Sequence, residues 1–243
     1  MPDLPLVVDA LHIKSNGTMR APPLAYNRNN YLDNYVRRLH AVLDFLLDQT
    51  WVDPSGFILL GHSQGSSVAI KCASQRADIS VIGLSACNPL GRFEAKIRRT
   101  RLAEQKGELS SVDAQIRISE LYDEWKYYSD YRNDDTREKG DTNKATFSFS
   151  ENFIDDLLII NKPIYIMYGS RDVSAVASDY LPIVFEAAGK YDYQMAVYPG
   201  LGHNYEEILP DGSSNFENMR WQQAFDSFWE WSKDRLNQSN NRH

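Results

Sequence analysis

The sequence predicts an α/β fold built around a parallel sheet. Two observations carry that expectation. The apolar run Gly56-Phe57-Ile58-Leu59-Leu60 leads directly into Gly61-His62-Ser63-Gln64-Gly65, and Ser66-Ser67-Val68-Ala69-Ile70-Lys71-Cys72-Ala73 follows with helical character. This is strand, tight turn, helix, with a serine at the apex. Further along, Asn161–Tyr168 reads as a buried strand and Tyr191–Tyr198 as an alternating one, each ending in a glycine-containing loop. Strands separated by helical patterns point to a parallel sheet with crossover helices.

The elements follow in order. Leu4–Ala10 contains Leu6-Val7-Val8 and reads as a strand, and residues 11–29 read as a polar loop. From Tyr31 to Leu47, Leu32, Tyr35, Val36, Leu39, Val42, Leu43 and Leu46 recur at helical spacing. Ile79–Leu84 reads as the strand after the Ser63 helix. Strand–helix alternation then stops between Asn88 and Ile160, where Ser110–Tyr131 reads as a helix and Arg132–Lys144 as a charged, mobile stretch. Alternation resumes with the 161–168 strand, a helix over Ser178–Ala188, the 191–198 strand and a closing amphipathic helix over Trp221–Leu236. The expected organisation is a first core segment over 1–87, a helical insertion over 88–160 and a second core segment over 161–243. Trp221, Trp229 and Trp231 are expected to pack.

In a parallel sheet the loops after successive strands share the carboxyl edge, where ligands bind. Three such loops carry Ser63, Asp172 in Gly169-Ser170-Arg171-Asp172, and His203 in Pro199-Gly200-Leu201-Gly202-His203. A serine hydroxyl is a poor nucleophile until a base takes its proton and an acid orients that base. Taken alone, Gly-x-Ser-x-Gly is a weak signal, His203 an ordinary loop histidine and Asp172 an ordinary turn residue. Their joint placement on strand ends gives the pattern its weight. A turn this sharp also calls for small residues two positions either side of the serine, where Gly61 and Gly65 stand.

On these residues the chain resembles the α/β-hydrolase superfamily, and within it the lysophospholipase-like and serine-aminopeptidase-like group. The matching pieces are GHSQG around Ser63, YGSRD ending at Asp172 and GLGH ending at His203, and the resemblance covers roughly residues 4–90 and 160–236. It implies Ser63 as nucleophile, His203 as general base and Asp172 as the orienting acid. It also implies the backbone N–H of Gln64 as one oxyanion-hole donor and the 88–160 insertion as a cap over the site. The implied reaction is hydrolysis of a carboxylic ester, thioester or amide in a small molecule or peptide, with no metal and no organic cofactor. The competing expectation is a weakly active or inactive truncated protein that keeps the fold as a binding or interaction module.

The family has three strands and a helix before the strand–helix pair that leads to the nucleophile, whereas only ten residues precede Leu11 here. The expectation is therefore an N-terminally incomplete hydrolase with an exposed sheet edge open to self-association. Alternatively, the Leu4–Ala10 strand pairs with the Ser63 strand, and the Leu11–Gly17 loop supplies the second oxyanion donor. Asp9 and His12 stand at that strand end, His12 as a rival base.

Composition narrows the partners. The 243 residues carry a net charge of −7, are 42% hydrophobic and 24% charged, and include two cysteines. An acidic chain has no excess of cations to displace counterions from phosphates, so nucleic acid is not an expected partner. No apolar run is long enough to span a membrane. No secretory signal is visible either, which places the expected location in the cytoplasm. Cys72 and Cys87 read as small buried residues rather than ligands. Within 92–106, Arg92, Lys96, Arg98, Arg99, Arg101 and Lys106 outnumber Glu94 and Glu104. The run is either a solvated face or a receptor for an anionic substrate group. Trp125 and Tyr128, with Tyr127 and Tyr131, are candidates to line an acyl or aryl pocket, and His62 is a further candidate substrate contact.

Overall fold

The computed structural model describes residues 24–137 and 140–240. The expected strand over Leu4–Ala10, the loop over Leu11–Gly17 and the rival base His12 lie outside the described residues.

Two short helical pieces begin the described chain. Helix α1 (Leu24–Asn29) falls where the sequence predicted a loop, and α2 (Leu32–Leu47) follows the expected periodicity. Asn34 holds this junction together, with its side-chain amide donating to the carbonyl of Asn29 at 2.7 Å. Strand β1 (Phe57–His62) leads through Ser63 into α3 (Gln64–Gln75), and β2 (Ile79–Ser85) follows. The long insertion contains α4 (Arg92–Gln105), α5 (Ser111–Asp130), α6 (Asn143–Ser148) and α7 (Ile154–Ile159). Ser110 caps α5 through its hydroxyl, which accepts from the Asp113 N–H. Then come β3 (Ile164–Gly169), a 3₁₀ turn (Ala175–Tyr180), α8 (Leu181–Ala187) and β4 (Tyr193–Tyr198). The expected single helix over Ser178–Ala188 is thus divided, with Pro182 in the first turn of α8.

Among the described residues the main sheet has the order β1-β2-β3-β4, all parallel. The strand ends are nearly level, since His62 pairs with Ser85, Ser85 with Met167, and Gly169 with Tyr198. Side chains alternate between the two faces, apart from an irregularity at the start of β2 between Ile79 and Val81. Phe57, Leu59, Ile164, Ile166, Tyr168 and Met195 meet the helices of one layer, whose core includes Leu32, Ile70, Leu157 and Phe185. Ile58, Leu60, Val81, Tyr165 and Met167 face the other layer, formed by α9 (Trp221–Asn240) through Ala224 and Phe228. Burial on both faces explains why β2 and β3 read as continuous apolar runs.

The end of the insertion belongs to this core. Phe149, Phe153, Leu157 and Ile160 lie in the same cluster as the sheet residues. Of the three tryptophans of α9, Trp221 and Trp231 pack against the core, whereas Trp229 is exposed. A second sheet, a β5 (Glu206–Ile208) and β6 (Ser214–Met219) antiparallel pair, follows the His203 loop. Among the described residues no helix is long and apolar enough to cross a membrane.

Phe228 is 1% exposed and packs its ring against Tyr165 at a centroid separation of 5.7 Å. Truncation removes the contact that seats α9 on the sheet. Phe228→Ala is expected to cost about 3–5 kcal/mol in urea-induced unfolding.

Candidate active site

Ser63 occupies a backbone conformation that L-residues rarely adopt, with φ 54° and ψ −121°. Such geometry costs about 1–3 kcal/mol and persists only where the surroundings enforce it. Here the Ser63 N–H donates to the carbonyl of Ser85 on the neighbouring strand at 2.8 Å. The hydroxyl of buried Ser66 contacts the carbonyls of Gly61 and Ser85, each at 2.9 Å. The turn is thereby bolted to both β1 and β2.

Gly61 is required here by close approach. A Cβ on it would stand 2.2 Å from the backbone oxygen of Gly65. The sequence expectation for Gly65 is different from what the structure requires, because a Cβ there meets nothing within 4 Å among the described residues. The helix leaves the turn at an angle that crowds only one of the two glycines.

His203 stands between Ser63 and Asp172. Its Nε2 lies 2.9 Å from Ser63 Oγ and its Nδ1 lies 2.7 Å from Asp172 Oδ2. The side chain of Asp172 is 4% exposed. Its other oxygen, Oδ1, accepts from the Ser174 N–H at 2.9 Å, which fixes the carboxylate plane. The hydrogen bond with Asp172 is the main cause that raises the His203 pKa above the ordinary imidazole value, and burial opposes it. Gly169 lets these two loops meet, since a Cβ on it would fall 2.2 Å from the carbonyl oxygen of Leu201.

The loop bearing His203 is held from below. The Asn204 N–H donates to Glu206 Oε2 at 2.7 Å, and the Gly202 N–H donates to the Glu206 carbonyl at 2.8 Å. His62 lies beneath His203, with ring centroids 5.2 Å apart, and meets Trp221 edge-on at 4.7 Å. Its Nε2 contacts Asn204 Oδ1 at 3.2 Å and its Nδ1 contacts Ser85 Oγ at 2.9 Å. Ser85 Oγ also contacts the Tyr205 hydroxyl at 2.7 Å. Burial lowers the His62 pKa, so the ring is neutral near pH 7. His62 is thus a support for the His203 loop, in place of the substrate contact expected from sequence.

A cavity of about 400 Å³ opens beside Ser63. It is lined by Ser63, Asp172 and His203 from the sheet edge, and by Arg92, Lys96 and Arg99 from α4. Gln64 also lines it, and its side-chain oxygen accepts from Arg92 Nη2 at 2.9 Å. As the first residue of α3, Gln64 has no acceptor one helical turn back for its own N–H.

Trp125 and Tyr128 are not among the residues lining this cavity. Trp125 stacks on Phe147 at 5.2 Å and packs on Phe93 at 5.1 Å, and Tyr128 meets Phe93 edge-on at 6.0 Å. Large aromatic surface on α5 is better buried against α4 and α6 than left in an open cavity. Among the described residues no group of three or more His, Cys, Asp or Glu side chains is placed to hold a metal ion. Burial pushes the Cys72 thiol up to about 11 and the Cys87 thiol up to about 12.

No protein-family model and no curated relative matches the sequence. Solved structures do match. The chain is similar to an esterase from Pyrococcus furiosus, at 14% identity and a TM-score of 0.51, over 87% of this chain and 64% of that one. The chain has the α/β-hydrolase fold. It is also similar to a monoacylglycerol lipase from Paleococcus ferrophilus, at 14% identity and a TM-score of 0.49, over 86% of this chain and 76% of that one. A third similar structure is an alpha/beta hydrolase from a Penicillium species, at 15% identity and a TM-score of 0.49, over 86% of this chain and 72% of that one. Within the α/β-hydrolase fold, the level ends of β1, β3 and β4 bring Ser63, Asp172 and His203 to one point.

Sequence reading missed Ser66, Ser85, Asn204, Tyr205 and Glu206. The β5–β6 hairpin had a signal, because Pro210-Asp211-Gly212 is a turn sequence and Gly212 takes φ +86°. Buried hydroxyls such as Ser66 and Ser85 have none, since a serine in a strand or helix reads alike whether or not it is bonded.

The two glycines of the Ser63 turn should separate in a stability measurement. Gly61→Ala is expected to lose about 1–3 kcal/mol by overpacking against the Gly65 backbone. Gly65→Ala is expected to be neutral or to gain up to about 1 kcal/mol, since alanine is the better helix former. Paired urea melts of the two variants check this.

Proposed function

We propose that this protein is a serine hydrolase that cleaves a carboxylic ester, thioester or amide through an acyl-enzyme on Ser63. The observation that carries the reading is the His203 ring, bonded to Ser63 Oγ through Nε2 and to buried Asp172 through Nδ1. A neutral imidazole so held has its free lone pair aimed at the hydroxyl.

The proposed steps run as an acylation followed by a deacylation. Ser63 Oγ attacks the carbonyl carbon as His203 Nε2 takes its proton. Asp172 accepts from Nδ1–H and stabilises the imidazolium. The Gln64 N–H, at the head of α3, donates to the oxyanion. When the tetrahedral intermediate collapses, His203 returns the proton to the leaving oxygen, sulfur or nitrogen. Water, deprotonated by His203, then attacks the acyl carbonyl and releases the acid with Ser63 restored. The strained backbone at Ser63 fits this role because it lifts the hydroxyl clear of the sheet.

The 88–160 insertion is read as a cap that shapes the substrate cavity. Support comes from α4, which contributes Arg92, Ala95, Lys96 and Arg99 to the cavity wall, and from Phe149 at its far end.

The decisive experiment is labelling with a fluorophosphonate probe. Ser63 should be modified in the wild-type chain, and Ser63→Ala should be unlabelled with esterase turnover reduced by about 10⁴-fold or more. A wild-type chain that stays unlabelled while folded would leave the fold as a binding module.

The pH profile gives an independent check. Only neutral His203 is a base, and its pKa lies above the ordinary value chiefly because of Asp172. kcat/KM should therefore fall as the pH drops through that raised value. Asp172→Asn removes the main raising interaction. Its residual activity should be far lower, with the acid limb displaced to lower pH. An unmoved acid limb would count against His203 as the base.

A further inference from the structure

We propose that the cavity beside Ser63 receives a substrate bearing an anionic group, a carboxylate or an equivalent monoanion, bound by Arg99 with Lys96 and Arg92 beside it. This deepens the hydrolase reading and rests on it. The three cations stand at four- and three-residue spacing on α4, which places them on one helix face. That face lines the same cavity as Ser63 and His203, with the small Ala95 between them leaving room.

The charges around this cavity do not balance internally. Asp172 is the one carboxylate among the lining residues, and it is already bonded to His203 at 2.7 Å and to the Ser174 N–H at 2.9 Å. Arg92 pairs with Asp141 at 2.8 Å, and Lys96 pairs with Glu124 at 3.2 Å. Glu94, on the same helix, is bonded to Arg98 and to Asn88. Arg99 forms no ion pair among the described residues, and its guanidinium instead donates to the Ser174 hydroxyl. A guanidinium held by one hydroxyl keeps most of its five N–H donors open for a planar anion.

Its placement is the second argument. Ser174 is two residues beyond Asp172, in the loop that orients His203. Asp172 dominates the His203 pKa and raises it, and the charge of Arg99 is near enough to pull in the opposite direction. An anion on Arg99 would therefore lie within the reacting region. A long surface arginine confined to solvent would explain neither the Ser174 contact nor the shared cavity wall.

The chemistry leaves two places for the anion, the acyl half of the substrate or the leaving group. Three esters separate them: p-nitrophenyl butyrate, the p-nitrophenyl half-ester of adipic acid and p-butyryloxybenzoate. At low ionic strength the wild-type chain should prefer one of the two anionic esters over the neutral one. Arg99→Gln should lower kcat/KM for that ester about ten-fold more than for the butyrate. Arg99→Lys should recover part of the loss, and added salt should raise KM for the anionic ester alone. Arg101→Gln, whose guanidinium pairs with Glu104 and Gln115 away from the cavity, serves as the charge control. Equal losses for all three esters, or the same loss in Arg101→Gln, would overturn the proposal.

A binding measurement separates this from failure of the hydrolase reading. Calorimetry of the anionic esters with Ser63→Ala needs no turnover, and adding Arg99→Gln should weaken binding about ten-fold. Arg99-dependent binding without Ser63-dependent turnover would uphold the anion site and end the hydrolase reading. Affinity unaffected by Arg99→Gln, or no measurable binding of either anionic ester, would end the anion site.

Discussion

The level carboxyl ends of a parallel sheet set the rest of this structure. Strands β1, β2, β3 and β4 pair without large stagger, so the loops after His62, Gly169 and Tyr198 emerge on one edge. Backbone hydrogen bonding fixes that register across three strand pairs. Side chains far apart in sequence then meet without any long element to carry them. The separation from Ser63 to His203 spans 140 residues, and their contact is 2.9 Å.

Meeting is not yet alignment, and two close backbone approaches supply the difference. Gly61 allows β1 to turn sharply into α3, which forces Ser63 into its strained conformation. Gly169 allows the Asp172 loop to lie against the carbonyls of Leu201 and Gly202, beneath His203. Below both runs a buried polar layer. His62 contacts Ser85 and Asn204, Ser85 contacts Tyr205, and Tyr205 donates to the carbonyl of Met167 on β3. A buried network of this kind is stabilising only when every member is bonded. It ties the histidine loop, through Asn204 and Tyr205, to β1, β2 and β3.

The long insertion serves two layers. Its end, through Phe149, Phe153, Leu157 and Ile160, completes the hydrophobic core against α3. Its beginning, α4, places cations over the sheet edge. Between them, α5 covers α4 with Trp125 and Tyr128. The aromatic residues thus pack the insertion's helices together, and the charged residues of α4 line the cavity.

The sequence by itself determined the α/β class, the order of the main elements and the strand-end positions of Ser63, Asp172 and His203. These features depend on local periodicity and on turn residues, which a single chain displays directly. Fully buried β2 and β3 were legible as apolar runs, and α2 as a 3.6-residue repeat. The short α1 was not, and of the β5–β6 pair only the turn at Pro210-Asp211-Gly212 was, because six-residue helices and polar strands take their stability from neighbours rather than from pattern. Only the tertiary structure decided which glycine of the Ser63 turn is sterically required, since the helix departure angle sets which backbone atoms crowd. It also took Trp125 and Tyr128 out of the cavity and turned His62 into a support, because burial and pairing are properties of the assembled layers. The cationic run of 92–106 reads in sequence as an undivided charged stretch. Folding divides it, turning Arg92, Lys96 and Arg99 toward Ser63 and pairing Arg98 and Arg101 with carboxylates of their own helix.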